Sequence, residues 1–308
     1  MFLCPSNFFP EFFKRPAVCG LAVAGLFCVL SPAHGQRAGG EKPSRFMNRI
    51  DAEEGARRLD DFRRQRLDGD YCFEFELAHK PHDSSRTIRY RGIMWGSWNA
   101  FGPVTRFRVF AAPEGRATGG SSPGFVELIV QNGTRTAAWY RPSSGDVFQV
   151  LEGASLFEPI LPGMLYSPFD LQMPFVYWDD FVYEGPTLVG ASRVAQQFLM
   201  LPPEGSASAE LGIAGVRVGL DEIYNALWRI EVMDTDGEML SRFAVRSFQK
   251  VRDQYIVKRI SLTDYPVKDR TTFEVKAAAV GLSLDPGLFD ANLAHAVDAK
   301  VPEDMEKL

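Results

Sequence analysis

The sequence predicts a mainly β, α+β domain: a single curled antiparallel sheet of about eleven strands, with helices available to cover its concave side. Three observations carry that prediction. Apolar and polar residues alternate in short runs that fill most of the chain between Asp70 and Val280, as half-buried strands require. Turn residues separate these runs at hairpin spacing, as at Asn132-Gly133 and Asp236-Gly237. One long helical pattern precedes them, and short helix starts interrupt them. Eleven or twelve strands in one meander must curl, and an unclosed sheet needs an apolar cover on its concave side.

The first 35 residues read as a cleavable export signal. Lys14 and Arg15 supply the charge, Ala17 to Leu30 the apolar run, and Ala33-His34-Gly35 the small residues of a cleavage site. The run is shorter than the roughly 20 apolar residues of a spanning helix, so a retained anchor is the lesser alternative. Cleavage would leave 273 residues with 32 basic and 38 acidic side chains. That acidic balance disfavours a nucleic-acid binder, which needs a basic surface. Cys4, Cys19 and Cys28 would leave with the signal, so Cys72 would remain alone and make no internal disulfide. Neither Cys19 nor Cys28 follows the small residue that lipid attachment demands, and the mature form is expected to be soluble.

Residues 36–46 form a Gly-, Lys- and Arg-rich lead-in, and one domain is expected over 47–298, followed by a charged tail over 299–308. Met47 to Leu67 is predicted helical: Ile50, Leu59 and Phe62 share a face, and Glu53/Arg57, Glu54/Arg58 and Asp60/Arg64 stand at i,i+4. Asp68-Gly69-Asp70 stops it. Phe73, Phe75 and Leu77 then alternate with Cys72, Glu74 and Glu76, and Ile88, Tyr90, Met94 and Trp98 alternate with Arg89 and Arg91. Phe107 and Val109 repeat the pattern. Phe125 to Val130 and Thr134 to Tyr140 flank Asn132-Gly133 as a hairpin with a type I′ turn. Leu151 to Leu165 reads as loop. Ser167-Pro168 starts a short helix, Pro174 divides it into two turns, and Gly185-Pro186 ends them. Strands return at Ser192–Leu201, Ile213–Leu220, Tyr224–Met233, Met239–Val251, Tyr255–Leu262 and Thr271–Val280, with turns at Asp236-Gly237 and Asp253-Gln254. Tyr224, Ala226, Trp228, Ile230 and Val232 are expected on one face. A helical piece from Pro286 to Leu293 closes the domain.

Catalytic chemistry finds little support. Asp179, Asp180 and Glu184 offer paired carboxylates for a hydrolase, yet the histidines His79, His82 and His295 are scattered and not at metal spacing. The plainer reading is that Asp180 and Glu184 cap or solvate short turns. Ser121-Ser122-Pro123-Gly124 lacks the Lys-Ser or Lys-Thr of a phosphate loop. Cys72 sits on a strand with no imidazole near it in sequence. Arg57, Arg58, Arg63, Arg64 and Arg66 alternate with acids, which suits a solvated helix face better than a membrane surface. No cofactor is implied. The 24 phenylalanines and 5 tryptophans exceed what hairpins need and would line an apolar cavity as readily as fill a core.

The run from Leu171 to Pro203, with MPFVYWDDFVYEG and LVGASRVAQQFLMLPP, together with YNALWRIEVMD at Tyr224 to Asp234, resembles the outer-membrane lipoprotein-sorting proteins, a LolA/LolB-like group. The resemblance covers Asp70 to Leu293. It implies an unclosed β-barrel with a helical lid, whose cavity carries lipoprotein acyl chains or lipid across the periplasm, without catalysis. It further implies exchange with an inner-membrane transporter and an outer-membrane receptor, by a protein expected to act as a monomer. Tyr90, Trp98, Phe107, Trp139, Phe175, Trp178, Phe181, Tyr224 and Trp228 are then the rings expected to line the cavity. The alternatives are a carboxylate hydrolase or a binding module with a filled interior. Full burial of three chains of about 16 carbons, at ~0.8 kcal/mol per CH₂, would be worth roughly 38 kcal/mol, beyond the non-covalent ceiling of about 18 to 21. A reversible carrier must bury its cargo partially or spend binding energy on opening its lid.

Overall fold

A computed structural model describes residues 49–110, 124–142, 145, 147–161, 163–189 and 193–308. The expected signal, the lead-in and residues 121–123 lie outside the described residues.

The helical pattern forms α1 (Ala52–Arg63), shorter than the predicted 47–67 because Asp51 caps it: its carboxylate accepts from Glu54 N at 2.8 Å. Gly55, Leu59 and Phe62 are its buried face. Glu54–Arg58 and Asp60–Arg64 pair as predicted, whereas Arg57 bonds Glu54 and Asp61. The sheet follows as β1 (Asp70–Lys80), β2 (Ile88–Asn99), β3 (Gly102–Phe110), β4 (Phe125–Gln131), β5 (Ala137–Pro142) and β6 (Gln149–Leu151). A short α2 (Pro168–Gln172) intervenes before β7 (Phe181–Val189) and β8 (Arg193–Met200). After α3 (Ala207–Glu210) come β9 (Ile213–Asp221), β10 (Leu227–Asp234), β11 (Met239–Val251), β12 (Gln254–Asp264), β13 (Arg270–Leu282) and β14 (Glu306–Lys307).

The described strands form one antiparallel sheet of 14, not closed, in the order β6-β5-β4-β3-β2-β1-β13-β12-β11-β10-β9-β8-β7. Every neighbour on this path is also a neighbour in sequence except β1 and β13. Their long ladder, from Asp70↔Leu282 to Lys80↔Arg270, joins two meanders in the middle of the sheet. The consequence lies at the edges. β6 and β7 are consecutive in the chain yet stand at opposite ends of the sheet, so residues 152–180 must cross from one edge to the other. Near the chain's end, β12 pairs with β13 only as far as Glu274, and β14 pairs beyond it at Ala277 and Ala278. The charged final residues thus return to the sheet.

Alternation along the strands feeds two cores. Phe73, Phe75, Leu77, Phe107, Phe198, Phe243 and Phe273 join Leu59 and Phe62 of α1 and the crossing segment on one side. Cys72, Trp95, Val104 and Ile129 face the other side, under Leu288, Phe289, Ala294 and Ala299.

Several expectations are corrected. Phe181–Val189 is an edge strand rather than the end of two helical turns; Pro186 fits there because an edge strand has one side without ladder partners. Asn132-Gly133 is not a two-residue turn, since pairing stops at Gln131↔Ala137 and leaves a five-residue loop. The backbone of that loop bonds the neighbouring hairpin instead, Asn132 N to Pro103 O at 2.9 Å and Thr134 N to Phe101 O at 2.8 Å. The turn after β11 is Arg252-Asp253, with Arg252 at φ 52°. In β10, Leu227 and Arg229 pair with the adjacent residues Leu220 and Gly219. Trp228 is therefore a bulge that shifts the alternation, and Leu227, Ile230 and Val232 are the buried residues.

Candidate functional site

The crossing segment lies over the larger core and enters it. Ile160, Leu161, Met164, Tyr166, Phe169, Leu171, Met173, Phe175, Val176 and Trp178 are all buried with that core. Rings link it inward: Phe157 stacks on Phe169 at 4.6 Å, Phe169 lies 5.5 Å from Phe175, and Phe175 meets Trp178 edge-on at 6.2 Å. Tyr166 reaches across to Phe243 of β11 at 5.7 Å and Phe273 of β13 at 6.4 Å. The interior expected to stand empty is thus occupied by the segment that covers it.

Polar anchors hold this cover. Ser167 caps α2, as predicted, in a mutual box with Asp170, whose carboxylate accepts from Ser167 N at 2.9 Å and Ser167 Oγ at 2.7 Å. Gln172 Nε2 donates to Gln131 O and Ala137 O, both at 3.0 Å, where the β4–β5 hairpin opens. The amide of Asn132 donates to Gln172 O. From α1, Arg63 donates to Val176 O at 2.7 Å and Trp178 O at 2.6 Å.

The same segment carries three unfavourable features. The buried Tyr166 hydroxyl has no hydrogen-bond partner among the described residues, a cost of about 1 to 3 kcal/mol. Burial, aided by the nearby Asp264 charge, pushes the Asp170 carboxyl up to about 6 against the opposing Ser167 hydrogen bonds. Met173 joins α2 to the turn at Pro174–Tyr177 with φ 52°, a left-handed conformation that non-glycine residues rarely adopt. Openings flank the cover. One of about 320 Å³ lies between Phe169, Asp170 and strands β9 to β12, and one of about 360 Å³ lies between Gln172, Trp178 and the α3 region.

Of the nine predicted cavity rings, Tyr90, Phe107, Phe175 and Trp178 are buried in the larger core and Phe181 packs against it. The other four lie elsewhere. Trp98 and Trp139 line a different cavity of about 530 Å³ with Phe101 and Phe289. Trp228 lies under the Arg193 guanidinium at 4.6 Å, and Tyr224 is exposed in the β9–β10 turn. Tyr166, Phe169 and Met173 were missed by sequence reasoning. Their signal was the density of apolar residues between Ile160 and Tyr166, too high for a solvated loop.

The candidate acids do not converge. Asp179 and Asp180 are exposed, and Glu184 is held bidentately by Arg217 at 2.6 and 2.9 Å. No group of three or more potential ligands that could hold a metal occurs among the described residues. Burial pushes the Cys72 thiol up to about 12, which leaves it protonated and unreactive at neutral pH. Arg57, Arg58, Arg63 and Arg64 pair with acids of their own helix, and Arg66 lies over Trp98 at 5.9 Å. No described helix is long and apolar enough to cross a membrane.

No family model matches the sequence, and no curated protein matches it. Solved structures do match. A DUF1329 family protein from Desulfovibrio piger superposes with a TM-score of 0.61 at 12% identity, covering 77% of this chain and 95% of that one. A domain from Vibrio parahaemolyticus assigned as an outer membrane lipoprotein-sorting protein gives 0.61 at 15% identity, over 77% and 95%. A LolA superfamily protein from Nitrosomonas europaea gives 0.54 at 11% identity, over 78% and 98%. The unclosed sheet, the crossing segment over its apolar core and these superpositions together give the chain a LolA-like fold.

Proposed function

We propose that the protein is a periplasmic, non-catalytic carrier that takes acyl chains of lipoproteins or lipids into the interior now filled by residues 152–180. Export would follow from the N-terminal signal, and cargo would pass between an inner-membrane donor and an outer-membrane acceptor. One observation carries this reading: the interior is filled by a segment that pays for its place with an orphan Tyr166 hydroxyl, a buried Asp170 carboxyl and a left-handed Met173. A permanent core would have no need of such features, whereas a displaceable cover combines them with apolar rings.

The exchange also sets the affinity. An acyl chain that displaces Tyr166, Phe169 and Phe175 replaces one buried apolar surface with another, so binding reports a difference rather than the full ~0.8 kcal/mol per CH₂. That keeps transfer reversible. The fold likeness to a lipoprotein-sorting domain supports the same class of cargo, and the solvent-facing positions of Asp179 and Asp180 favour it over hydrolysis.

The test is titration of delipidated protein with a fluorescent fatty-acid probe. Phe175→Ala and Trp178→Ala should change probe affinity several-fold, while Trp228→Ala, at the β10 bulge and outside the covered core, should not. Absence of saturable uptake, or the same affinity in all three variants and the parent, would end the proposal.

A further inference from the structure

The cavity of about 530 Å³ that holds Trp98 and Trp139 is not part of the covered interior. It lies between the β2–β5 end of the sheet and the chain's return after β13, where Pro286–Phe289 forms a turn capped by Asp285. Its size falls within the roughly 300 to 1,000 Å³ of small-molecule sites. Its walls are rings: Trp98, Phe101, Trp139 and Phe289.

Apart from Ser97, whose neutral hydroxyl also lines the wall, the polar side chains around these rings are already engaged. Asn99 donates to Gln131 Oε1 at 2.7 Å and accepts from Phe101 N at 2.9 Å, and Gln131 donates to Pro103 O and Asn132 O. Asp290 accepts from Asn292 N at 2.9 Å and from its side-chain amide at 3.2 Å. One charged donor is left over. Arg135 is exposed, lies over the Phe101 ring at 5.7 Å, and has no salt-bridge partner among the described residues. An aromatic slot with a single free guanidinium at its rim suits a ligand with an apolar body and one negative end.

We propose that this outer cavity is a second, separate binding site, which takes a single-chain anionic amphiphile of the fatty-acid class. The chain lies against Trp98, Trp139 and Phe289, and the carboxylate meets Arg135. Because the site shares none of these residues with the covered interior, it does not depend on the carrier function.

The experiment uses the full chain with a diazirine-bearing decanoate for photolabelling, followed by peptide mapping, and parallel titrations with decanoate and decanol. Labels on the peptides holding Phe101, Trp139 and residues 286–292, competed by decanoate, are expected. Arg135→Gln should weaken decanoate about threefold, as loss of an exposed ion pair does, and leave decanol unchanged. Ala291→Trp adds an indole to the cavity wall and should abolish the labels; should that variant fail to fold, the exposed Arg135 substitution still decides. Labels confined to residues 152–180, or an Arg135→Gln variant that treats both ligands as the parent does, would overturn the proposal.

Discussion

The guanidinium of Arg63, in the last turn of α1, donates to the carbonyl of Trp178 at 2.6 Å, in the final turn of the crossing segment. With its second bond to Val176 O at 2.7 Å, Arg63 ties the cover to a helix that is itself seated against β7, where a Cβ on Gly55 would come within 3.1 Å of the Tyr183 ring. Charge-assisted bonds to carbonyls are worth about 1.5 to 3 kcal/mol. Arg63→Ala should therefore lower unfolding stability by about 1 to 3 kcal/mol and loosen the cover before the sheet. The check is amide exchange: protection should fall over residues 166–178 and stay constant in β9 to β12. Uniform loss across both regions would show that Arg63 serves global stability alone.

Asp170 makes the cover sensitive to pH. Burial raises its carboxyl to about 6, above the ordinary value of about 3.9, so the folded state holds its proton more tightly than the unfolded chain. The contribution to stability is fully present below pH ~4 and is lost as pH rises through ~6, a change of order 2 to 3 kcal/mol. Asp170→Asn keeps an oxygen that accepts from Ser167 N and removes the charge. It should flatten the dependence of Tm on pH between ~4 and ~7 and slow acyl-probe uptake at pH 7. An unchanged profile would remove Asp170 as the source of the effect.

Strands β8 to β13 of the second meander were legible in the sequence to within about three residues, because their alternation is mostly regular, and Met239–Val251 is the same in prediction and structure; β7, read as short helical turns, was not. The Ser167-Pro168 helix start was legible too, since capping is local. What could not be read was long-range. Nothing in a single chain says that Asp70 pairs with Leu282, and that one ladder makes β6 and β7 the edges and turns residues 152–180 into a cover. Parity along a strand assigns residues to two faces without saying what covers each. The rings of Tyr90 and Phe107 thus fell in the covered core, while Trp139 faced the other cavity. Trp228 was lost to a one-residue bulge that no pattern of polarity announces.

Glu127 of β4 is wholly buried and is shared by Arg106, Arg108 and Arg141 from the two flanking strands. Burial alone would raise its carboxyl, but the guanidiniums of Arg106, Arg141 and Arg108 more than offset this and hold it below the ordinary range. Arg106 also donates to Ala294 O at 3.0 Å, so the cluster fastens the C-terminal return to the sheet. Glu127→Gln would leave three neighbouring cations with no counter-charge on this site. Removing one partner of a buried ion pair costs about 3 to 5 kcal/mol, and a loss in that range is expected in urea unfolding. A loss under about 1 kcal/mol would mean that solvent already screens these arginines.

Two glycines of β2 shape the sheet. Gly96 lies opposite Tyr71 and Gly92 opposite Phe75 in the β1–β2 ladder. A Cβ on Gly96 would stand 1.8 Å from Tyr71 Cζ, and one on Gly92 would stand 2.3 Å from Phe75 Cζ. Both rings therefore lie flat across their partner strand, which only a residue without a side chain permits. Tyr71 then stacks on Phe73 at 4.7 Å, and Phe75 stacks on Phe273 at 4.6 Å. Glycine weakens a strand by itself, but here it admits rings that fill the bend of a curled sheet. Gly96→Val must lift the Tyr71 ring, break its 3.2 Å contact with Thr105 Oγ1 and overpack the core, at a cost of about 1 to 3 kcal/mol. Paired replacement, Gly96→Val with Tyr71→Ala, should cost less than the two single changes together, because the clash disappears with the ring. If the two costs simply add, the ring and the glycine are independent and the close fit is not what sets the curl.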